Sequence, residues 1–320
     1  MNKICLIPQP IHTLGLQQLR DNGLEPVVGE AACEAVPTEN VVAAIYRSGQ
    51  FSRTRMVQLP NLRAIAVHGV GIDGIDLAAA NELGIAVFNT PGANNRSVAE
   101  HALGLMFALT KRITESDRAV RNGEFSFRFQ GGLRELSGAT LGVVGFGAIG
   151  QIVATLAQAM GMRVLVLSRR SEIELAELGL HKAQSLENLL TDSDIVTLHA
   201  PSLPETRHLI GAEQLKLMKP SAYLINTSRG ALIDEAALIN ALQNGEIAGA
   251  GLDVFAVEPL PASSPLTLLP NVVLTPHAAA SAEQALMRMA SATATGVVNV
   301  LNDSPPAALL NPQIWETRRR

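Results

Sequence analysis

Short apolar runs alternate with segments of helical periodicity over the first third of the chain. Runs such as Ile4–Ile7 have the length of a buried strand, whereas Leu14–Leu19 and Asp76–Leu83 have apolar residues spaced as on a helix face. This alternation is typical of an α/β domain with parallel strands. The predicted strands of the domain are Ile4–Ile7, Pro26–Val28, Val42–Tyr46, Ala64–Val67 and Ile85–Phe88.

A second α/β region is predicted after a long helix that starts at Ser97, in SVAEHALGLMFALTKRI. Ser97 and Glu100 have the spacing of a capping box, in which each side chain bonds the backbone at the helix start. Pro91, Gly92 and Asn94 indicate an interdomain linker, so we expect the helix to bridge two domains. A doubly wound sheet of six strands is then predicted near residues 140–144, 163–168, 194–198, 222–225, 248–252 and 272–274, with a last helix over Ala282–Leu301.

The most distinctive stretch, Ser137–Met162, is glycine-rich and carries no charge. An apolar run over Thr140–Val144 is followed by Gly145, Gly147 and Gly150 in G-x-G-x-x-G spacing, and apolar residues then recur every four positions. A membrane helix is the alternative, but six glycines would weaken such a helix by about 1 kcal/mol each. Strand, glycine turn and helix in this order predict a dinucleotide site, with the pyrophosphate at the helix N-terminus.

Composition narrows the classes of partner. The chain has 320 residues, is 47% hydrophobic and 17% charged, and has a formal net charge of −4. This balance fits two globular domains and argues against nucleic acid or an anionic membrane as a partner, because phosphate binding needs clustered Lys and Arg. Cys5 and Cys33 provide no disulfide framework, and the N-terminus has too few apolar residues for a signal peptide. We therefore expect a cytoplasmic protein, and no metal site is predicted.

The end of the second strand of the glycine-turn domain bears on the choice of dinucleotide. An acidic residue about 20 positions after the glycines normally binds the ribose 2′-OH, but here the strand Arg163–Leu167 ends in Ser168-Arg169-Arg170. Guanidinium groups suit a 2′-phosphate because they make bidentate, charge-assisted bonds. The alternative is a solvated basic loop. The missing acid together with the paired arginines predicts that NADP(H) is preferred over NAD(H).

Polar residues follow the later strands of the same sheet. Arg229 follows the fourth strand, Asp253 and Glu258 follow the fifth, and His277 follows the sixth. Because ligands bind at the carboxyl ends of strands in open α/β sheets, these residues should converge on one cleft. A cation, an imidazole and a carboxylate are what hydride transfer to a 2-keto acid requires. Taken singly, each residue also has a simpler interpretation. Arg229 could be a surface residue at a turn, Glu258 an ordinary loop carboxylate and His277 a helix cap.

Several ordered motifs resemble the D-isomer-specific 2-hydroxyacid dehydrogenase family over nearly the whole chain. They are HGVGIDGIDL, NTPGANNRSVAEHALGL, GVVGFGAIG, HAPSLPETRHLI, NTSRGALIDEAAL, GAGLDVFAVEPLP and NVVLTPHAAA. The resemblance, which is to glyoxylate/hydroxypyruvate reductase-like members, implies that His277 is the general acid/base, Glu258 its carboxylate partner and Arg229 a substrate-binding cation. The substrate-binding residues that it implies are Arg47, Val70, Gly71, Arg229 and His277, with Val70 and Gly71 acting through their backbone amides.

The same resemblance implies a set of cofactor contacts. Asp253 would hold the nicotinamide carboxamide, Thr227 and Ser228 would line the cofactor, and the stretch from His199 to Thr206 would run along it. The full set is Gly145, Phe146, Gly147, Ala148, Ile149, Gly150, Ser168, Arg169, Arg170, His199, Ala200, Pro201, Thr206, Thr227, Ser228, Asp253 and Ala279.

The resemblance also implies the architecture. It predicts an α/β fold of two Rossmann-like domains with doubly wound parallel sheets, the cofactor domain being inserted in the substrate domain. We expect residues 1–96 plus 288–320 to form the substrate domain and residues 97–287 the NADP-binding domain. The helix after Ser97 and the arm near 120–138 would form a homodimer interface. No regulatory domain is expected after residue 320.

These expectations combine into one predicted function. It is the NADPH-dependent reduction of a small 2-keto acid, such as glyoxylate or hydroxypyruvate, to the D-2-hydroxy acid, with His277 as general acid. An NAD-dependent D-3-phosphoglycerate dehydrogenase-like enzyme is one alternative. An interaction protein that senses NAD(P)(H), as the corepressors of this fold do, is another.

Overall fold

The computed structural model describes residues 3–320. Its strands are β1 Lys3–Ile7, β2 Leu24–Val28, β3 Val41–Tyr46, β4 Ala64–Val67, β5 Ala86–Phe88, β6 Thr140–Val144, β7 Arg163–Leu167, β8 His181–Lys182, β9 Ile195–Leu198, β10 Tyr223–Asn226, β11 Gly249–Leu252 and β12 Val272–Leu274. All pair in parallel, in one sheet of five strands and one of seven.

Helices connect most of these strands. They are α1 Thr13–Asp21, α2 Glu30–Glu34, α3 Arg53–Val57, α4 Leu77–Glu82, α5 Asn95–Thr110, α6 Ile113–Arg121, α7 Ala148–Ala159, α8 Glu172–Glu177, α9 Leu186–Asp192, α10 Ala212–Leu217, α11 Glu235–Gln243 and α12 Glu283–Leu301. Short 3-10 helices lie at Thr38–Asn40, Phe125–Phe129, Pro204–Thr206, Gly230–Leu232, Pro265–Leu268 and Pro312–Thr317.

The first unit comprises residues 1–94 and 280–320 and holds the five-stranded sheet, in the order β2-β1-β3-β4-β5. Successive residues of β1 enter different cores, since Ile4 and Leu6 pack in one and Cys5 and Ile7 in the other. Residues of a strand alternate between faces, so both faces of this sheet are covered. The chain order reverses between β1 and β3, and a crevice for ligands is expected at such a point.

The second unit comprises residues 95–279 and holds the seven-stranded sheet, in the order β12-β11-β10-β9-β6-β7-β8. Val143 and Val144 of β6 enter different cores, so this sheet too is buried on both faces. The chain order reverses between β6 and β9. The carboxyl ends of those two strands therefore flank the position where a doubly wound sheet binds a nucleotide.

The fold class is confirmed: both units are α/β with parallel sheets, and the second lies between two segments of the first. The prediction of six strands in the second sheet was one strand short. It missed β8, a two-residue edge strand that pairs with Leu165 and Val166 of β7. His181 and Lys182 have no apolar pattern, so only their hydrogen bonds to β7 identify them as a strand.

The predicted capping box at Ser97 was wrong. Helix α5 starts two residues earlier, and Ser97 lies inside it, where its hydroxyl donates to Ala279 O at 2.5 Å. Glu100 instead accepts from Arg96 Nε, also at 2.5 Å. Helix α5 belongs wholly to the second unit and begins at its first residue, Asn95.

The boundaries of the units in the structure lie at 94/95 and 279/280, compared with the predicted 96/97 and 287/288. The larger difference arises because α12 is continuous from Glu283 and packs as a whole within the first unit. Its residues Ala290, Ala294, Val297 and Val300 are fully buried in a core of that unit. The chain thus returns to the first unit before its last long helix begins.

The uncharged stretch 137–162 is β6, a turn and α7. Within residues 3–320, no helix combines the length and the apolar character that crossing a bilayer would require.

Candidate active site

The glycine-rich turn follows β6, which lies inside the second sheet between β9 and β7. Gly145 has a φ of +93°, which favours glycine, and a Cβ there would lie 2.7 Å from His199 O. A Cβ on Gly150 would collide with Gly145 O, so this glycine lets α7 pack closely on the turn. Gly147 caps α7 and has open space where a side chain would be. These are the properties that bring backbone N–H groups up to a pyrophosphate.

Two further observations fit a dinucleotide at this turn. Gly147 and Ala148 are exposed at the N-terminus of α7, beside the half-buried Phe146 and Ile149. The hydroxyl oxygen of Thr227 is buried and has no hydrogen-bond partner in the described part of the chain. A buried polar atom of this kind is satisfied when a ligand supplies the missing partner.

Ser168, Arg169 and Arg170 follow β7, the strand next to β6. Arg169 is exposed, whereas Ser168 and Arg170 are half-buried. The backbone N–H of Arg170 donates to Ser168 Oγ at 3.1 Å. The Arg170 guanidinium lies over the Phe146 ring, with its Cζ 5.0 Å from the ring centroid. This cation–π contact, which the sequence did not predict, holds a positive charge beside the glycine turn.

The segment after β9 is ordered by its own polar groups. His199 bonds through Nε2 to Thr197 Oγ1 at 2.9 Å, and desolvation lowers the pKa of His199 to about 4. Thr206 Oγ1 donates to Pro201 O at 2.7 Å, which closes the turn between them. Ser228 Oγ donates to Ala200 O at 3.1 Å, so the segments after β9 and β10 are linked directly.

Arg229 lies in a turn after β10 that Asn226 organises. Asn226 is fully buried, its Nδ2 donates to Arg229 O at 2.8 Å, and its Oδ1 accepts from the Ser228 N–H at 3.0 Å. The Arg229 Nη1 donates to Ser228 O at 2.7 Å. Asn226 was missed as a site residue. The available signal was that it is the one amide side chain in the strand YLIN and directly precedes the turn.

Asp253, which follows β11, is fully buried and holds the turn after β12. Its Oδ1 accepts from Thr275 Oγ1 at 2.6 Å and from the Ala278 N–H at 2.8 Å, and its Oδ2 accepts from the Ala279 N–H at 2.9 Å. The His277 N–H donates to Asp253 O at 2.8 Å. These bonds fix His277 at a φ of +53°. The contact of Asp253 with a nicotinamide carboxamide stays a prediction.

His101 of α5 also contacts Asp253 and Thr275, and it was not predicted from the sequence. Its Nε2 lies 2.9 Å from Thr275 Oγ1 and 3.5 Å from Asp253 Oδ1. The one hydroxyl proton of Thr275 is donated to Asp253, so Nε2 of His101 must be the donor in its bond to Thr275. The turn that carries His277 is therefore tied to the long helix α5 as well as to β11.

His277 and Glu258 form a hydrogen-bonded ion pair, with Nδ1 and Oε2 separated by 2.7 Å. The other oxygen, Glu258 Oε1, accepts from the Phe255 N–H at 3.0 Å. The bond to Glu258 raises the pKa of His277, although burial opposes the change. Burial would raise the pKa of Glu258, but the bonds from His277 and Phe255 outweigh it, and that pKa is lowered. Both shifts favour the imidazolium–carboxylate form.

The charge of Arg229 also influences the ion pair of His277 and Glu258. Its positive charge lowers the pKa of both Glu258 and His277. The structure thus brings together, within the second unit, the three residues expected to be catalytic. The His277 side chain is 51% exposed, and with Nδ1 bonded to Glu258 its Nε2 is left to donate a proton. An imidazolium next to a guanidinium can polarise and protonate a carbonyl oxygen.

The predicted substrate residues of the first unit lie at the carboxyl ends of β3 and β4. The Arg47 guanidinium donates to Pro10 O at 3.0 Å and to Ser281 Oγ at 3.1 Å. In residues 3–320, neither Val70 nor Gly71 donates a hydrogen bond through its backbone N–H to another protein group. Val70 O accepts from Asn89 at 2.9 Å, and Thr90 bonds both polar backbone atoms of Gly69. The loop is therefore held in place with two amides available to an anion.

Comparison with known proteins identifies relatives along the whole chain. The sequence model described as "D-isomer specific 2-hydroxyacid dehydrogenase, NAD binding domain" matches residues 103–279. A glyoxylate reductase from Aeropyrum pernix is 45% identical over 271 residues, covering 82% of this chain and 80% of that protein. A D-3-phosphoglycerate dehydrogenase from Methanocaldococcus jannaschii is 40% identical over 303 residues, covering 92% of this chain and 57% of that protein.

A solved structure is similar over its full length. It is the NADPH-dependent glyoxylate/hydroxypyruvate reductase from Sinorhizobium meliloti in complex with NADP and malonate, which is 29% identical with a TM-score of 0.84 and covers 100% of this chain and 99% of that chain. The resemblance seen in the sequence motifs is confirmed by these matches. The chain belongs to the D-isomer-specific 2-hydroxyacid dehydrogenase family, whose members are oxidoreductases acting on CH–OH donors.

Proposed function

We propose that the protein reduces a small 2-keto acid, such as glyoxylate or hydroxypyruvate, to the D-2-hydroxy acid with NADPH. The observation that carries the proposal is the His277–Glu258 ion pair at 2.7 Å with Arg229 acting on it. A raised imidazole pKa keeps the proton donor charged near neutral pH, as reduction of a ketone requires. The Aeropyrum pernix relative, a glyoxylate reductase, supports this class of substrate.

Each residue has a defined task in the proposed reaction. The amides of Val70 and Gly71 bind the substrate carboxylate, and Arg229 stabilises the negative charge that develops on the carbonyl oxygen. When bound, the reduced nicotinamide supplies the hydride. His277 donates its Nε2 proton to the same oxygen, and Glu258 stabilises the imidazolium before the transfer. Asp253 keeps His277 in position through the turn described above.

The preference for NADP(H) is proposed on the charge of the segment 168–170. It contains no carboxylate, Arg170 lies over a ring of the glycine turn, and the preceding residue, Arg169, is exposed. Two guanidiniums suit a 2′-phosphate and offer no acceptor to a 2′-hydroxyl. The Sinorhizobium meliloti enzyme, which is NADPH-dependent and was solved with NADP, supports the same preference.

The alternative activity is that of an NAD-dependent D-3-phosphoglycerate dehydrogenase, which the 40% identity to the Methanocaldococcus jannaschii protein favours. A phosphate on the substrate would need further cations near Arg47. The two nearest in sequence are engaged elsewhere, because Arg53 pairs with Glu82 and Arg55 donates to Cys33 O at 3.1 Å. We therefore place the smaller, unphosphorylated keto acids first.

Initial rates test the proposal directly. Glyoxylate, hydroxypyruvate, pyruvate and 3-phosphohydroxypyruvate should each be measured with NADPH and with NADH. We expect the highest kcat/KM with NADPH and an unphosphorylated keto acid. A several-fold better value with NADH, or with the phosphorylated substrate, would favour the dehydrogenase alternative. Tight NADPH binding without turnover of any of the four would favour a nucleotide-sensing protein.

The pH profile tests the pairing of His277 with Glu258. Because the pKa of His277 is raised by Glu258, its protonated form persists to higher pH, and it is lost as the pH rises through that pKa. Glu258→Gln removes the stabilising anion but keeps the size of the side chain. The alkaline limb of the kcat/KM profile for reduction should therefore move about one unit or more to lower pH. An unshifted limb would contradict the pairing.

The protein is also proposed to be a homodimer. In the arm, residues 120–138, large apolar side chains are exposed: Val120 58%, Phe125 65%, Phe129 76% and Leu133 56%. A cluster of this kind on an ordered segment fits a protein interface. Sedimentation velocity should give the mass of two chains.

A cytoplasmic location is proposed as well, and the free thiols of Cys5 and Cys33 fit a reducing compartment.

A further inference from the structure

His68 is a buried histidine whose ring has no partner. It is 4% exposed, and neither Nδ1 nor Nε2 makes a hydrogen bond within the part of the chain that the structure describes. Its backbone is regular, since it directly follows β4 and its N–H donates to Tyr46 O at 2.8 Å. The ring alone is therefore unsatisfied, and either of its nitrogens could bond a polar group of a ligand.

An unsatisfied imidazole in this position destabilises the folded protein. Buried polar groups are nearly always hydrogen-bonded, and an apolar side chain of similar size would avoid the loss. Burial and the nearby charge of Arg47 lower the pKa of His68 to about 4, so the ring is neutral near neutral pH. A neutral imidazole offers one N–H donor and one nitrogen acceptor. Either nitrogen can bond a hydroxyl group, because a hydroxyl both donates and accepts.

The surroundings of His68 belong to the predicted substrate region of the first unit. Arg47 follows β3, next to β4 in the sheet and at the point where the chain order reverses. The available amides of Val70 and Gly71 lie two and three residues after His68. A carboxylate held by those amides would bring the rest of a small acid into the region of Arg47 and His68. Arg47 is already committed to Pro10 and Ser281, which leaves the imidazole with unused hydrogen-bonding capacity.

We propose that His68 is a specificity-determining residue that bonds the hydroxyl on C3 of a 3-hydroxy-2-keto acid. The proposal rests on the 2-keto acid reduction argued above and narrows its substrate class. Hydroxypyruvate carries this hydroxyl and pyruvate lacks it, while both have the same carbon skeleton. The enzyme should therefore prefer hydroxypyruvate over pyruvate, because pyruvate would leave the imidazole without a partner.

Two variants of similar size separate polarity from packing. His68→Gln keeps a donor and an acceptor, whereas His68→Leu keeps neither. We expect His68→Leu to lower the ratio of kcat/KM for hydroxypyruvate to that for pyruvate by about 10- to 100-fold, mainly through hydroxypyruvate, and His68→Gln to retain most of it. In the absence of substrate, the Leu variant should be the more stable of the two, because it buries no unsatisfied polar group. It should unfold about 2 °C or more above the Gln variant. Initial rates and thermal unfolding measure the two effects.

The two readouts also distinguish the possible failures. If the wild-type enzyme reduces 2-keto acids but the ratio is the same in both variants, the assignment of His68 is overturned and the proposed function stands. The assignment is likewise overturned if the Leu variant unfolds at a lower temperature than the Gln variant, because the ring would then have a partner in the protein. If the wild-type enzyme reduces none of the keto acids with either cofactor, the proposed function fails and the assignment fails with it.

Discussion

Replacement of His277 with glutamine should lower kcat for keto acid reduction by about 10²- to 10⁴-fold, while the Kd for NADPH stays within about two-fold. Glutamine can still bond Glu258, so the turn keeps a polar side chain there. It cannot hold a transferable proton, so the alkoxide would have to take its proton from water. Stopped-flow or steady-state rates give the first quantity, and fluorescence titration with NADPH gives the second.

The position of His277 should survive this change because the backbone, and not the imidazole, fixes the turn. Asp253 accepts the N–H groups of His277, Ala278 and Ala279 through its carbonyl and carboxylate oxygens. An unchanged unfolding midpoint would verify that the loss is chemical. His181→Gln provides the matched control, since His181 is exposed on the edge strand β8. If His277→Gln retained more than a tenth of wild-type kcat, His277 would not be the general acid.

The strands could be predicted from the sequence because buried parallel strands are nearly continuous apolar runs. The exceptions are features that depend on hydrogen bonds and not on the apolar pattern. The edge strand β8 is defined by hydrogen bonds to Leu165 and Val166, and its two polar residues have no periodicity. Ser97 has the spacing of a capping box, yet its hydroxyl bonds Ala279 O, a residue 182 positions away. A spacing cannot distinguish a local partner from a distant one.

The same limit applies to the candidate site. Residues placed directly after strands, such as Arg229 and His277, could be found because parallel strands present their carboxyl ends at one edge. Residues that support this site from other positions in the fold could not be predicted in this way. His101 reaches Thr275 from a helix, and Asn226 faces the backbone from inside a strand. His68 became a candidate only when both ring nitrogens proved to be buried and unpaired.

The glycine turn and the arginine segment are also more closely connected than the sequence indicates. Phe146 lies between two glycines of the turn, and its ring carries the Arg170 guanidinium. If the pyrophosphate binds this turn as proposed, Phe146 thereby positions a positive charge for the adjacent ribose. Arg169 lacks such a contact and is exposed, so the two arginines should contribute differently.

Substitution of both arginines, Arg169→Ala with Arg170→Ala, should lower kcat/KM for NADPH by about 100-fold and leave the value for NADH within about three-fold. Each charge-assisted bond to a phosphate contributes roughly 1.5–3 kcal/mol, whereas NADH has no 2′-phosphate to lose. Initial rates at saturating keto acid, with each cofactor varied in turn, give the two values. The effect on NADPH should shrink at high salt, because exposed charges are screened.

Two further variants show whether charge or shape is responsible. Arg163→Ala removes an exposed guanidinium from the opposite end of β7. It should leave kcat/KM unchanged for both NADPH and NADH. Arg170→Lys keeps the charge but loses the planar group over Phe146 and the bidentate geometry, so it should fall between the wild type and the double variant. An equal loss with NADPH and NADH in the double variant would mean that the arginines only shape the pocket. In that case the preference for a phosphorylated cofactor would have no basis in this segment.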